Sequence, residues 1–535
     1  MSQTTSTSRT TVRELPSRRR AKNDAKSPGK SPAKRHGKDS VRARSKAGWA
    51  ALYAWQVERD SATPIFRQVY LQMRAAILAQ RLAPGAKLPS TRALAAELDV
   101  ARASVISAYE QLLAEGYLAG RVGSGTYISS DLPEPVERRG PRRRKPASAA
   151  APLSAQARAF AALGAFAVED ENRPFTKARV LIDSRTIETW RKLSQEMFRN
   201  FDPIHRGYAD ARGLIALRRA ICDYLGAARG VRAAPEQILV TAGTQHAIDI
   251  ATRVLLSPGD EVWVEDPGYP MTRRALAASG VTLRPVAVDA QGLNVRAGLR
   301  LAPKARAAFI TPSHQYPLGI MLSMARRLEL LAWARETGSF NIEDDYHSEY
   351  RYAGRPLAAL QGLDEAERVI YVGTFNKVLF PGLRLGYVVV PPPLVQSFAG
   401  ARFLLDRQPP TLTQGLVAEF MRQGYFAAHI RRMRLLYRDQ RDLVVGELQR
   451  RLGARIAVAA PEQGMHLVAY LGGGLSDVAL EAALREHGVI VRALSRLYLK
   501  APPRQGLLLG FTGFPRQVIA PAVARLARVV ANAKA

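Results

Sequence analysis

From about residue 176 to the end, short apolar runs alternate with amphipathic stretches, and this alternation leaves few architectures open. Gln237–Thr241, Glu261–Val264, Ala307–Thr311, Phe340–Glu343 and Val369–Gly373 read as buried strands. Between them, Gln245–Leu255, Met321–Thr337 and Pro392–Phe403 carry helical patterns. A strand bounded by helices can bury both its faces only in a sheet that the helices cover. The fold expected over 176–535 is therefore α/β, a mostly parallel sheet wrapped by helices. At 535 residues the chain exceeds a single core, so at least two domains are expected.

Residues 62–130 form a separate patterned unit. Pro64–Gln80 places Ile65, Val69, Leu71, Met73, Ala76 and Ile77 at helical spacing, and Leu82-Ala-Pro-Gly85 ends that pattern. Ser90 is the expected N-cap of a short helix, Thr91–Leu98. After a tight turn at Val100-Ala101, a second helix spans Arg102–Gly116, with Val105, Tyr109, Leu112 and Leu113 on one face. Leu118–Arg121, Gly123-Ser-Gly125 and Thr126–Ser129 then read as a hairpin. Two helices across a turn followed by a hairpin make a winged helix-turn-helix, whose second helix fits a DNA major groove.

The net charge of +32 favours polyanionic partners, although a generally basic proteome gives the same bias. Residues 1–48 hold fourteen Lys/Arg against Glu14, Asp24 and Asp39, interspersed with Ser, Pro and Gly. Such a stretch cannot bury a core, and 1–61 is expected to be a disordered basic arm: either a source of phosphate attraction or a plain tail. Residues 131–175, with Asp-Leu-Pro-Glu-Pro, a basic cluster up to Lys145 and an Ala-rich run, read as an extended linker. The single Cys222 excludes an intrachain disulfide and fits a reducing compartment. No apolar run reaches the roughly 18–20 residues of a membrane span, and no secretory h-region stands at the N-terminus. A cytoplasmic protein is expected.

Within the α/β unit, Gly373-Thr-Phe-Asn-Lys-Val-Leu-Phe-Pro-Gly-Leu-Arg-Leu-Gly-Tyr387 offers one lysine and one arginine in an apolar setting. A lysine among apolar neighbours can act as an amine nucleophile toward an aldehyde, and an arginine on the same loop can clamp a dianionic phosphate. Aldehyde and phosphate in one small molecule describe pyridoxal 5′-phosphate (PLP). Glu343-Asp-Asp-Tyr346 follows a strand, where a buried carboxylate can keep a pyridine nitrogen protonated. Gly243-Thr-Gln245 sits between strand and helix, where N–H groups and the helix dipole favour phosphate. Glu265-Asp-Pro-Gly-Tyr269 adds an aromatic face. Each signal alone has a plain structural alternative: a surface lysine, a solvated acidic pair, a core tyrosine. It is their order and spacing that point to one site.

The first unit resembles the GntR family of bacterial DNA-binding domains through Pro84-Gly85, Leu88-Pro-Ser-Thr-Arg92, Ala101-Arg102-Ala-Ser-Val105, Tyr109 and Gly123-Ser-Gly125. The resemblance implies that Arg92, Arg102 and Ser104 meet DNA and that Gly123 and Gly125 let the wing approach the backbone. Ala101 and Ser104 replace the family's usual Ser and Thr, which removes one capping hydroxyl. The second unit resembles fold-type-I aminotransferases, and the whole chain resembles the MocR/GabR subfamily of transcriptional regulators. Carried over, Lys377 forms an aldimine with PLP, Asp344 pairs with the pyridine nitrogen, Tyr346 bonds the phenolic oxygen and Tyr269 stacks on the ring. Gly243, Thr244, Gln245, Thr374 and Arg384 hold the phosphate, and Tyr208 reaches the phosphate of a neighbouring subunit. His314-Gln-Tyr-Pro-Leu-Gly319 takes the place of the aminotransferase Asn-Pro-x-Gly turn.

Three departures bear on activity. Asn376 stands where the subfamily generally has Ser. Leu508 occupies the position of the arginine that grips a substrate carboxylate, with Arg492 and Arg496 as candidate substitutes. Pro174–Arg185 lacks the usual Gly-x-Pro-Asp entry. The resemblance therefore implies a PLP-dependent regulator that binds operator DNA and senses an amino compound or PLP itself, with at most weak transaminase activity. It further implies a head-to-tail, domain-swapped homodimer, with a smaller C-terminal α/β subdomain in each protomer. The alternatives are an active aminotransferase that also binds DNA, and a DNA-binding protein whose second half is only a scaffold.

Overall fold

The computed structural model describes residues 55–121, 123–131, 153–163, 172–177, 179–354 and 357–533. The chain divides into two compact units, one ending at Ala151 and the other beginning at Pro152. Most of the expected basic arm lies outside the described residues.

In the first unit, helices Ile65–Leu78, Thr91–Leu98 and Arg102–Ala114 precede an antiparallel hairpin of β1 (Leu118–Arg121) and β2 (Gly125–Ile128). The Ser90 Oγ accepts the Ala93 N–H at 3.2 Å and starts the short helix, as the sequence predicts. The helix from Arg102 begins at Ala101 with no side-chain cap, the consequence of the missing hydroxyl. Met73, Leu94, Val105, Ala108 and Leu112 form the fully buried core. Two readings need correction. Leu71 and Leu113 are exposed, because Tyr70 turns inward in place of Leu71 and the face is narrower than the apolar pattern. Residues 55–61 of the expected arm are ordered, since Trp55 is buried in this core and the Gln56 and Glu58 N–H groups bond the Gln72 and Gln68 side chains.

The second unit is built on an eight-stranded sheet ordered β3-β10-β9-β8-β7-β4-β5-β6. Its strands are β3 (Ile238–Thr241), β4 (Glu261–Asp266), β5 (Thr282–Asp289), β6 (Gly292–Leu293), β7 (Ala307–Ile310), β8 (Phe340–Asp345), β9 (Val369–Thr374) and β10 (Gly386–Val389). The run from β5 through β4, β7 and β8 to β9 is parallel, while β10 runs antiparallel to both β9 and β3. Helix Met324–Thr337 starts three residues later than its apolar pattern, because Ser323 caps it by accepting the Arg326 N–H. A second, antiparallel sheet follows, ordered β11 (Ile456–Val458), β12 (His466–Leu471), β14 (Gly506–Gly510), β13 (Arg492–Ala493). It packs on helices Tyr425–Leu452 and Arg516–Asn532. Within the expected linker, Ala155–Leu163 is helical, and Phe175 is already buried in the core of this second sheet. No helix among the described residues is long and apolar enough to cross a membrane.

The end of β8 positions the site. Successive side chains on a strand face opposite sides, so Glu343 and Asp345 share one face and Asp344 takes the other. Asp345 accepts the buried Arg229 Nε at 2.8 Å and the Tyr371 hydroxyl at 2.6 Å. Arg229 also donates to Ser313 Oγ and the Leu357 carbonyl, which leaves its guanidinium well satisfied. Glu343 accepts the backbone N–H groups of Leu360 and Gln361 at 2.9 and 3.0 Å. Removing one partner from such a buried pair strands the other charge. Asp345→Ala should therefore cost about 3–5 kcal/mol, read as a lowered thermal midpoint; an unchanged midpoint would show that the pair supports nothing.

Candidate functional site

A cavity of about 230 Å³ opens at the strand ends of the large sheet. Nine of the ten residues expected to hold a cofactor line it: Lys377, Asp344, Tyr346, Tyr269, Gly243, Thr244, Gln245, Thr374 and Arg384. Tyr208 does not. It is 81% exposed, with the Arg407 guanidinium 4.8 Å from its ring centre.

The loop between β9 and β10 brings the lysine and arginine together. Gly386 pairs with Thr374, so both ends of the loop are fixed at one point of the sheet. Asn376 braces the interior: its N–H bonds Thr374 Oγ1 at 3.2 Å and its Oδ1 accepts the Leu385 N–H at 3.1 Å. Arg384 adopts a left-handed backbone at φ +48°, a conformation costly for a side chain with a Cβ and held here by the surrounding loop. Gly243 sits at φ +110°, and a Cβ there would lie 2.4 Å from Asn376 Nδ2. Only glycine permits this approach, and helix Thr244–Leu255 begins directly after it, with Gly243, Thr244 and Gln245 lining the cavity.

The opposite wall is acidic and aromatic. Tyr346 donates its hydroxyl proton to the His314 carbonyl at 3.0 Å, and Tyr269 meets Tyr316 edge-on at 5.2 Å. Asp344 keeps some surface toward the cavity, yet its Oδ1 is buried and has no hydrogen-bond partner. Removal from bulk water pushes its carboxyl up to about 8, with the charges of Asp345 and Glu265 adding to the effect. Glu265 is likewise pushed up to about 7 by burial, despite the bonds it accepts from Thr311 and Gln315.

Several lining residues escaped the sequence reading: Lys177, Thr311, Tyr316, His347 and His466. Lys177 comes from the very stretch that lacks the expected entry motif, and its ammonium lies 5.8 Å from the centre of the Tyr316 ring. His466 stands at the start of β12, far away in sequence, where no local pattern marks it. The two candidate replacements for the carboxylate grip are now distinguishable. Arg492 lies directly opposite Leu508 across β13 and β14, which puts both side chains on one face. Arg496 is largely exposed and pairs with Glu481 at 3.7 Å.

In the first unit, Arg92 and Arg102 are exposed in the opening turns of their helices, and Arg102 Nε lies 3.4 Å from Thr91 Oγ1. Ser104, two residues after Arg102 in the same turn, is half-buried. Gly123 and Gly125, at φ +74° and +113°, form the exposed hairpin tip. Lys87 and Arg121, absent from the sequence-based set, place cations 5.9 and 4.8 Å from the Tyr127 ring and make this wing basic.

Comparison with known proteins accounts for both units. Residues 66–128 match the bacterial regulatory proteins of the gntR family, and residues 180–508 match aminotransferase class I and II. The chain is 39% identical over 457 residues to MocR of Rhizobium meliloti, a probable rhizopine catabolism regulatory protein, covering 85% of this chain and 92% of that one. It is 33% identical over 456 residues to the pyridoxine biosynthesis regulator PdxR of Corynebacterium glutamicum, covering 84% and 92%. Among solved structures it resembles the multiple substrate aminotransferase of Thermococcus profundus, with a TM-score of 0.63 and 25% identity over 71% of this chain and 97% of that one. The architecture is that of a transcriptional regulator in which a helix-turn-helix domain is joined to an aminotransferase-like domain. Within that class, the chain belongs to the MocR/GabR subfamily of GntR-type regulators.

The raised Asp344 carboxyl carries a sign that can be checked. The folded, ligand-free protein holds a proton there that the unfolded chain releases near pH 4, so stability falls as pH rises from about 4 to about 8. Asp344→Asn has no such proton to lose. Thermal unfolding of the ligand-free proteins at pH 5 and pH 9 should show a smaller loss of stability for Asp344→Asn than for wild type, and equal losses would contradict the assignment.

Proposed function

We propose that the second unit binds PLP at Lys377 and that an amino compound, or PLP itself, changes through that site how the first unit holds operator DNA. The observation that carries this reading is the convergence of a lysine, an arginine-lined helix N-terminus and an unpartnered buried acid on one cavity. The residues fit the cofactor: the Asp344 carboxyl, which lines the cavity and has an oxygen without a hydrogen-bond partner, would take a protonated pyridine nitrogen as its cation, and the helix that starts at Thr244 would offer its N-terminus to a phosphate. When bound, PLP supplies an aldehyde that joins amines and a ring that draws electrons from them.

Each residue then has a task. Lys377 presents the amine. Asp344 would hold a proton on the ring nitrogen, and Tyr346, whose hydroxyl proton goes to the His314 carbonyl in the ligand-free protein, would turn that proton to the ring oxygen when the cofactor is bound. Tyr269 covers one face of the ring. Thr374, Arg384, Thr244, Gln245 and the Gly243 backbone hold the phosphate, with Tyr208 of this chain serving the partner's site in a head-to-tail, domain-swapped homodimer. Regulation then requires the effector to bind one dimer arrangement more tightly than another, since equal affinity shifts nothing. At the DNA, Arg92, Arg102 and Ser104 contact the duplex, and Gly123 and Gly125 let the wing approach its backbone.

Leu508 weighs against efficient turnover. It is 1% exposed and packs with Tyr316, Leu494 and Leu497, where an arginine would clamp a substrate carboxylate. A second reading, an aminotransferase that also binds DNA, draws on Arg492, which stands opposite Leu508 across the strand pair. One experiment separates them. Operator binding by fluorescence anisotropy should shift when PLP and amino donors are added to wild type, with a changed visible spectrum and little keto-acid product. Lys377→Ala should lose both the visible absorption of the bound cofactor and the shift while staying folded, and Arg102→Ala should weaken operator binding by about 1–3 kcal/mol in every condition. Keto-acid formation at roughly 1–10³ s⁻¹ would instead establish the enzyme, and an unaltered spectrum in Lys377→Ala would remove the cofactor assignment.

A further inference from the structure

Three histidines from distant parts of the second unit meet beside the cavity: His314 after β7, His347 after β8 and His466 at the start of β12. Each is buried, at 2% exposure. One nitrogen from each ring lies within 4.8 Å of the other two, and the ring centres are 5.0 to 5.9 Å apart. Such closeness is common among aromatic side chains that simply pack. These rings, however, carry polar atoms with nothing to bond.

Both ring nitrogens of His314 and both of His347 are buried without a hydrogen-bond partner. Unpartnered buried polar atoms cost stability, and four in one cluster call for a ligand that satisfies them. His466 shows which kind. Its Nε2 lies 3.2 Å from the Pro317 carbonyl oxygen, which can only accept, so Nε2 carries the hydrogen and Nδ1 carries the lone pair. That is the tautomer of a metal-binding imidazole oriented by a backbone carbonyl.

We propose that His314, His347 and His466 form a binding site for a divalent metal ion of the zinc type, with a fourth coordination position open to the cavity. Three atoms at the 4.8 Å limit lie about 2.8 Å from their common centre, so a shift of roughly 0.7 Å each reaches the 2.0–2.1 Å of a zinc–nitrogen bond. Small side-chain rotations suffice, and most of the movement falls to His347 and His466, because close backbone hems in His314: a Cβ at Gly319 would lie 3.1 Å from its Cε1 and one at Gly464 would lie 2.3 Å from its Nε2. His347 and His466 line the cavity, which places the open position toward a ligand or water there. Three neutral imidazoles with one free position match the ligand set of open zinc sites, and imidazole also suits copper and nickel. The site stands independently of whether PLP occupies the cavity.

The test uses the full-length protein, stripped with chelator and titrated with Zn²⁺ and with Co²⁺ as a visible probe. Wild type should bind one equivalent per chain, and His314→Gln, His347→Gln and His466→Gln should each weaken binding at least tenfold. His487→Gln, on the surface, should bind like wild type. Because buried substitutions can unfold the unit, X-ray absorption on zinc-loaded wild type gives a second reading, expected to show three imidazole nitrogens at about 2.0–2.1 Å. No stoichiometric uptake by wild type, undiminished binding in all three variants, or a first shell without three imidazoles would each overturn the site.

Discussion

Three consecutive carboxylates at the end of β8 set the terms for everything around them. Like charges a few ångströms apart cannot all stay ionised away from water. The period of two along a strand divides them. Glu343 and Asp345 turn to the face where backbone N–H groups, Tyr371 and the buried Arg229 receive them. Asp344 is left on the other face with an orphaned oxygen and a carboxyl pushed up to about 8. The buried network is thus what leaves one acid in need of a cation at the cavity floor. Under the reading proposed above, PLP supplies that cation through its ring nitrogen.

The same logic bears on how an aminotransferase-like scaffold would serve the proposed regulator. Under that reading, phosphate and ring contacts would come from strand ends and the β9–β10 loop, which the fold itself fixes. A carboxylate grip would have to come from the smaller sheet, where Leu508 is packed into an apolar cluster and Arg492 stands across the strand pair. Binding without a rigid grip suits a sensor, because orientation of the reacting bond matters for turnover far more than for occupancy.

Much of this was legible in the sequence, for identifiable reasons. Strands buried on both faces read as continuous apolar runs, so β3, β4, β7, β8 and β9 were visible at once, while the partly exposed β5 was not. The winged helix was visible because Ser90, the Pro84-Gly85 break and the wing glycines are local signals. The short strand β10 was not, and of the smaller C-terminal sheet only the strand at Gly506–Phe511 was, since the pairings of β10 and of that sheet join residues more than ten apart. The same limit hid Lys177, Tyr316 and His466, which reach the cavity only through tertiary packing. Leu71 and Trp55 mark a further limit: apolar spacing predicts which residues can be buried, while the width of the contacting face decides which are.

The claim that Asp344 is the cavity's unsatisfied acid and the partner of the cofactor ring is tested most directly by nuclear magnetic resonance of PLP labelled with ¹⁵N in its ring, bound to the intact protein. The account predicts a protonated-pyridine shift in wild type that moves to the neutral range in Asp344→Asn. A wild-type shift already in the neutral range, or one that Asp344→Asn leaves unchanged, would contradict it.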